Sequence, residues 1–66
     1  MRVRLNGEQI NVEESLSILD LLSQKSLPAN ATVVEINGSI IDPSHFANVK
    51  IQDDDAIEVL RFVGGG

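Results

Sequence analysis

The residues of this 66-residue chain with the clearest chemical potential are its last three, Gly64-Gly65-Gly66, which follow Arg61-Phe62-Val63. A segment without Cβ atoms is thin enough to enter a narrow channel, and it can adopt backbone dihedrals closed to other residues. The terminal carboxylate of Gly66 would then be within reach of another protein's active site. A frayed chain end is the alternative, but three consecutive glycines favour a function. We predict a folded domain over residues 1–63 and a flexible C-terminal glycine tail over residues 64–66.

No second set of residues predicts catalysis or metal binding. His45 has no cysteine or second histidine as a partner, so we predict a surface or loop-packing residue. Asp53-Asp54-Asp55 lacks the glycine and distal glutamate of a calcium loop and is interpreted as a solvated turn. Arg2 and Arg4 are interpreted as solubilising charges on a strand rather than an anion site. The prediction is therefore no catalytic residue and no metal ligand.

Composition narrows the classes of function. The chain has 10 acidic and 5 basic residues, a net charge of −5 and a pI near 4.5, which argues against nucleic acid and against an anionic membrane surface as partners. It has no cysteine, which fits a reducing compartment, and it has no apolar run long enough to span a bilayer. We expect a small cytoplasmic protein that is not itself an enzyme.

Two hairpins are predicted from alternating apolar residues around Asn-Gly pairs. Met1-Arg2-Val3-Arg4-Leu5 alternates apolar and basic residues, and Asn6-Gly7 then favours a type I′ turn, because both residues tolerate positive φ. A β-branched run, residues 32–36, precedes a second such pair, Asn37-Gly38. Each pair predicts two antiparallel strands joined by a tight turn.

A short helix is predicted between the hairpins. Ser17 with Asp20 three residues later is typical of a capping box, so the helix is expected to run from Ile18 to about Lys25. Pro28 prevents its continuation. The predicted buried stripe consists of Ile18, Leu19 and Leu22.

The last predicted strand leads directly into the glycines. Within residues 56–63, Ile57 and Val59 lie on one face, while Leu60 and Phe62 lie on the other. An exposed apolar pair beside the tail is typical of a docking surface, and Leu60, Phe62 and Val63 are the predicted partner-docking residues. The alternative is that the loop around Phe46 covers Leu60 and Phe62.

The order of these elements predicts the fold. Strand, strand, helix and three further strands allow the first and last strands to pair in parallel, with the helix crossing one face. The fold class is therefore α+β: a ubiquitin-like β-grasp, with a mixed sheet of four to five strands.

The sequence also resembles a known family, the ThiS group of small sulfur carriers in thiamine biosynthesis. The resemblance spans essentially the whole chain, although the tail is its most specific part. Asp54-Asp55 departs from the Gly-Asp common in that turn, and many relatives have only two terminal glycines, so Gly64 can be a spacer. The matching segments are residues 3–7, 17–22, 34–37, 57–59 and 62–66.

The resemblance implies a carrier whose chemistry lies in its partners. An E1-like (ThiF-like) adenylating enzyme would use ATP to activate the Gly66 carboxylate, with Gly64 and Gly65 threading into that enzyme. A sulfur donor such as a cysteine desulfurase would then supply the sulfur of a thiocarboxylate, which a ThiG-like thiazole synthase would receive. The chain itself would bind no cofactor.

Three alternatives remain open from the sequence. The same tail would serve a MoaD-like sulfur carrier for molybdopterin, or a ubiquitin-like modifier that forms an isopeptide through Gly66. A β-grasp interaction module with an incidental tail is the third possibility.

Overall fold

The computed structural model describes residues 1–61, which form one mixed sheet and one helix on its inner face. The strands are β1 (Arg2–Leu5), β2 (Glu8–Asn11), β3 (Thr32–Ile36), β4 (Ser39–Ile41) and β5 (Ala56–Arg61). The helix is α1 (Ile18–Gln24), and two short 3₁₀ helices span Ala29–Ala31 and Pro43–His45.

Both predicted hairpins are confirmed. Asn6 and Gly7 have φ of 51° and 83°, and Asn37 and Gly38 have φ of 52° and 87°. Positive φ at both central residues matches the right-handed twist of the flanking strands. β1 pairs with β2 and β3 pairs with β4, both antiparallel.

β5 joins the two hairpins into a five-stranded sheet of order β2-β1-β5-β3-β4. It is parallel to β1 and antiparallel to β3, so the sheet is mixed and the predicted parallel pairing of first and last strands is confirmed. Residues 49–51 add no strand to this sheet, and Lys50 forms only an isolated bridge, with Ser17. The β-grasp prediction is confirmed, with five strands.

The helix begins where the sequence predicts. The Ser17 side-chain oxygen accepts from the Asp20 N–H at 3.0 Å, and the Asp20 carboxylate accepts from the Ser17 N–H at 3.3 Å, which completes the capping box. The helix ends at Gln24, and Lys25 is its C-cap residue.

The predicted buried stripe of the helix is wrong at one position. Leu19 is 41% exposed, whereas Leu21 is buried together with Ile18 and Leu22. Ile18, Leu21 and Leu22 lie at i, i+3 and i+4, which places all three on one face, whereas Leu19 is rotated about 100° from Ile18. Position 21 therefore faces the sheet in place of position 19.

One hydrophobic core lies between α1 and the inner face of the sheet. Val3, Val34, Ile57 and Val59 come from the three central strands, and Phe46 fills the space beneath the loop that precedes β5. Phe46 is only 2% exposed. The core thus fixes β5 from its inner face along the strand that leads toward the glycines.

Candidate functional site at the end of β5

The predicted site begins where β5 ends. Arg61 is the last residue of this strand and the last described residue. The predicted docking residues Phe62 and Val63 and the predicted tail Gly64, Gly65 and Gly66 lie outside the described residues. What the structure places is therefore the base of the site, consisting of the end of β5 and the side chains around it.

Leu60 lies on the outer face of the sheet, as the alternation predicts. Its side chain is 64% exposed, while Ile57 and Val59 point into the core. The loop around Phe46 does not cover Leu60, because Phe46 is buried on the inner face. The alternative interpretation is thus wrong for Leu60, and the docking prediction retains an exposed apolar side chain.

Two further apolar side chains lie on the same outer face. Val33 is directly opposite Leu60 in the β3–β5 register and is half-buried. Ile40 on the edge strand β4 is 71% exposed. We call Leu60, Val33 and Ile40 the outer apolar patch. Only Leu60 could be identified from the sequence. Which residues of β3, β4 and β5 are neighbours depends on the strand order and register.

Two carboxylates lie beside the outer apolar patch. Glu35 on β3 is directly opposite Glu58 on β5, and Ile40 is opposite Glu35 on the other side. Like charges at directly opposite positions are unfavourable for a sheet. Arg4 lines the same depression as both carboxylates. The outer face therefore presents apolar and acidic groups together.

Asn6 holds the middle of β5 from the side of β1. Its backbone N–H donates to the Ile57 carbonyl at 2.8 Å, and its side-chain Oδ1 accepts from the Val59 N–H at 2.8 Å. Asn37 has a similar role at the start of the strand, where its Oδ1 accepts from the Ala56 N–H at 2.9 Å. The Asn-Gly pairs predicted the turns, but not that their amide side chains bind β5.

The acidic turn differs from its prediction at one residue. Asp53 and Asp54 are exposed, but Asp55 is only 8% exposed. Its carboxylate accepts from the Asn37 Nδ2 at 2.9 Å and from the Gln52 N–H at 2.8 Å. Asp55 is therefore a buried structural acceptor that ties the second hairpin to the start of β5. The solvated-turn interpretation was wrong there because the partner, Asn37, is distant in sequence.

The other titratable residues discussed in the sequence analysis are exposed, as predicted. His45 is exposed at the end of a 3₁₀ helix, and Arg2 and Arg4 are exposed on β1. The two arginines line an open depression of about 340 Å³, together with Gln9 and Asp54.

Two carboxyl groups have their pKa lowered by local hydrogen bonds. The Ser17 hydroxyl and backbone N–H hold the pKa of Asp20 below its ordinary value, because both favour the ionised form. The Ser44 backbone N–H, followed by its hydroxyl, lowers the pKa of Asp42 in the same way. Both carboxylates cap helical turns, so these shifts have a structural cause.

Within residues 1–61, no three histidine or carboxylate side chains are grouped closely enough to hold a metal ion. None of the helices in this range has the length and apolar composition needed to cross a bilayer.

Comparison with known protein families identifies the family of this chain. The ThiS family model matches residues 3–66, which includes both Asn-Gly hairpins, β5 and the glycines. The chain belongs to the ThiS family. The predicted resemblance to the sulfur carriers of that family is confirmed.

Individual ThiS-family relatives agree with this assignment. The sulfur carrier protein ThiS of Bacillus subtilis is 35% identical over 65 residues, which are 97% of this chain and 98% of that protein. The crystal structure of the thiamine biosynthesis protein ThiS from Geobacter metallireducens superposes with a TM-score of 0.85, at 36% identity and with all of both chains covered.

A third relative is much longer. A thiazole synthase of Paramagnetospirillum magneticum is 33% identical over 66 residues, which are all of this chain but only 20% of that protein. The chain thus spans about a fifth of this relative's length. A ThiS-like segment and a thiazole synthase are part of one polypeptide there.

Proposed function

We propose that this chain is a sulfur carrier whose Gly66 carboxylate becomes a thiocarboxylate and donates sulfur for the thiazole of thiamine. The observation that carries the proposal is membership of the ThiS family over residues 3–66, with the glycines included in the match. The structure supports it by placing β5, which leads to those glycines, at the centre of the sheet, where both neighbouring strands hold it.

The proposed chemistry begins with activation by a partner. A carboxylate is a poor electrophile, so the ThiF-like enzyme would let the Gly66 carboxylate attack the α-phosphorus of ATP, with pyrophosphate leaving. A sulfur nucleophile would then attack the acyl carbon, forming a C–S bond as the bond to AMP breaks. If the donor is a cysteine persulfide, a thiol must cleave the remaining S–S bond. The product is the thiocarboxylate.

The carrier's own contribution is to hold and present the tail. A passage that admits only backbone would accept Gly64 and Gly65 and exclude residues with Cβ atoms. The folded body would remain outside this passage and bind the partner's surface. No residue of the chain acts as an acid, a base or a metal ligand in this scheme.

The outer apolar patch is the proposed docking surface, together with the predicted Phe62 and Val63. Leu60 and Ile40 are large apolar side chains left mostly exposed, which is typical of surfaces that a partner covers. Leu60 also precedes Gly64 by only four residues in the chain, so a partner that receives the tail would contact it.

A ThiG-like thiazole synthase is the proposed acceptor of the sulfur. The relative in Paramagnetospirillum magneticum supports this partner, because a segment similar to this chain forms part of a thiazole synthase there. The adenylating enzyme and the sulfur donor are proposed from the chemistry that the carboxylate requires.

Intact mass spectrometry of the protein from cells making thiamine tests the proposal. We expect a fraction heavier by one oxygen-to-sulfur exchange, with the exchanged atom mapped to Gly66. The chain has no cysteine that could hold the sulfur instead. A chain joined to lysines of other proteins would indicate a modifier, and an unmodified chain would indicate an interaction module.

Genetic complementation separates the two sulfur-carrier pathways. We expect the gene to restore growth without thiamine in cells lacking a thiazole sulfur carrier. Restoration of molybdoenzyme activity alone, in cells lacking a molybdopterin carrier, would contradict the thiamine assignment.

A further inference from the structure

β5 is paired with β3 over a longer stretch than it is paired with β1. On the β3 side, the register runs from Ile36 opposite Ile57 to Thr32 opposite Arg61. On the β1 side, it contains only Arg4 opposite Ala56 and Leu5 opposite Ile57. The last part of β5, next to the tail, therefore has a strand on one side only.

Asn6 extends the shorter side by one further hydrogen bond. In a continuing parallel ladder, the Val59 N–H would donate to the backbone carbonyl of Asn6. The chain instead turns into the hairpin at Asn6, whose φ is 51°, and the side-chain Oδ1 takes the place of that carbonyl at 2.8 Å. Among the described residues, this is the last hydrogen bond to β5 on the β1 side.

We infer that Asn6 is a positioning residue for the C-terminal segment, because its side-chain amide makes the last β5 contact on the β1 side, beyond which only β3 holds the strand as far as Arg61. This role rests on the proposed carrier function. A carboxylate must reach the ATP phosphorus in a defined geometry, and small displacements of a reacting group reduce the rate strongly. A looser end of β5 would spread the positions of everything that follows Arg61.

The residue type fits this role. Asn is among the few residues other than glycine that tolerate positive φ, and its side chain also carries an acceptor oxygen. Glycine at position 6 would keep the turn and lose the acceptor. Aspartate would keep both.

The second hairpin supplies a matched control. Asn37 has nearly the same φ, and its Oδ1 also accepts from a β5 N–H, but that N–H belongs to Ala56 at the start of the strand, away from the tail. Asn37→Gly also removes the hydrogen bond to Asp55, so its stability cost should be at least as large as that of Asn6→Gly. A loss of function caused by instability alone would therefore affect Asn37→Gly at least as much.

Amide hydrogen exchange on the isolated protein tests the structural step. In the parent, the Val59 amide should be protected. In Asn6→Gly it should exchange at least about fivefold faster relative to core amides, while Asn6→Asp should retain the protection. Asn37→Gly should instead affect Ala56. An unprotected Val59 amide in the parent, or unchanged exchange in Asn6→Gly, would overturn the inference whatever the protein's function is.

Steady-state adenylation with the partner enzyme tests the positioning step, with pyrophosphate release as the readout. We expect Asn6→Gly to lower kcat by about tenfold with KM nearly unchanged, since the docking surface is intact. Asn6→Asp should restore most of the rate, and Asn37→Gly should stay within about twofold of the parent. Equal losses in Asn6→Gly and Asn37→Gly would reduce Asn6 to a structural residue. A parent that releases no pyrophosphate would refute the proposed function, and this inference with it.

Discussion

At the residue scale, the glycines carry the chemistry, and their small size is the property to test. Gly65→Val adds a β-branched side chain where only backbone is expected to pass, so pyrophosphate release with the adenylating enzyme should fall strongly. Gly64→Val is compared with it: an equal fall would place Gly64 in the narrow part of the passage, and a smaller fall would make Gly64 a spacer. Equal rates for Gly65→Val and the parent would remove the narrow-channel argument.

Asp20 gives a prediction about pH. Its pKa is lowered in the folded protein, chiefly by the Ser17 hydroxyl, from an ordinary value of 3.8. A depressed folded-state pKa stabilises the protein above the ordinary value, and this contribution is lost as the pH falls through the folded pKa. Asp20→Asn keeps an acceptor for the Ser17 N–H but loses the charge.

Denaturant unfolding of the parent and Asp20→Asn at pH 7 and pH 3 measures this effect. We expect the parent to be the more stable at pH 7, and the difference to shrink at pH 3. The screening of an exposed carboxylate keeps the effect small. A difference that stays constant between the two pH values would show that the charge of Asp20 has no part in the cap.

The residues that could be predicted from sequence were those whose partners are near in the chain. Ser17 and Asp20 are three positions apart, and Asn6-Gly7 acts through its own dihedrals, so local chemistry sufficed for both. Asp55 and the amide of Asn6 could not be predicted, because their partners Asn37 and Val59 lie 18 and 53 positions away. Such contacts exist only once the strands are assembled.

At the element scale, β5 has one buried face and one exposed face. Leu60 on the exposed face is the residue to substitute in a test of partner binding. Leu60→Asp should weaken binding to the adenylating enzyme by about 2 kcal/mol or more, as for an apolar anchor at an interface. Folding should be little affected, because the side chain is 64% exposed. Binding is measured by calorimetry and folding by circular dichroism.

Leu19→Asp is the matched control for this experiment. Leu19 is also an exposed leucine, but it lies on α1, away from the outer sheet face. The Leu19→Asp variant should bind the adenylating enzyme with the same affinity as the parent. If Leu19→Asp and Leu60→Asp weaken binding equally, the outer apolar patch is not the docking surface.

Strand and helix positions could be predicted because each element repeats its apolar residues with its own period. The helix face was misjudged at Leu19, since Ile18, Leu19, Leu21 and Leu22 are all apolar and periodicity alone permits two overlapping stripes. The outer apolar patch could be predicted only at Leu60. Val33 and Ile40 join it through the order β5-β3-β4, which no single strand specifies.

At the scale of the whole molecule, we predict that the body folds without the glycines. Deleting residues 64–66 should change the free energy of unfolding by no more than about 0.5 kcal/mol, as for changes away from packed features. A chain ending at Val59 is the control and should be clearly less stable, because it loses the pairings of Leu60 and Arg61 with β3. Urea unfolding of both chains decides this. A large loss on deleting 64–66 would show that the glycines pack against the body.

The central place of β5 also affects how the protein is made. Residues 56–61 are the last of the five strands to leave the ribosome, yet they lie between β1 and β3. Until then, the two hairpins share no neighbour, and each presents an unpaired edge of the kind that promotes aggregation. A ribosome that stalls before residue 56 therefore releases a chain that cannot close its sheet and is exposed to proteases. We therefore expect chains truncated before β5 to be degraded rather than to persist as folded proteins without a tail.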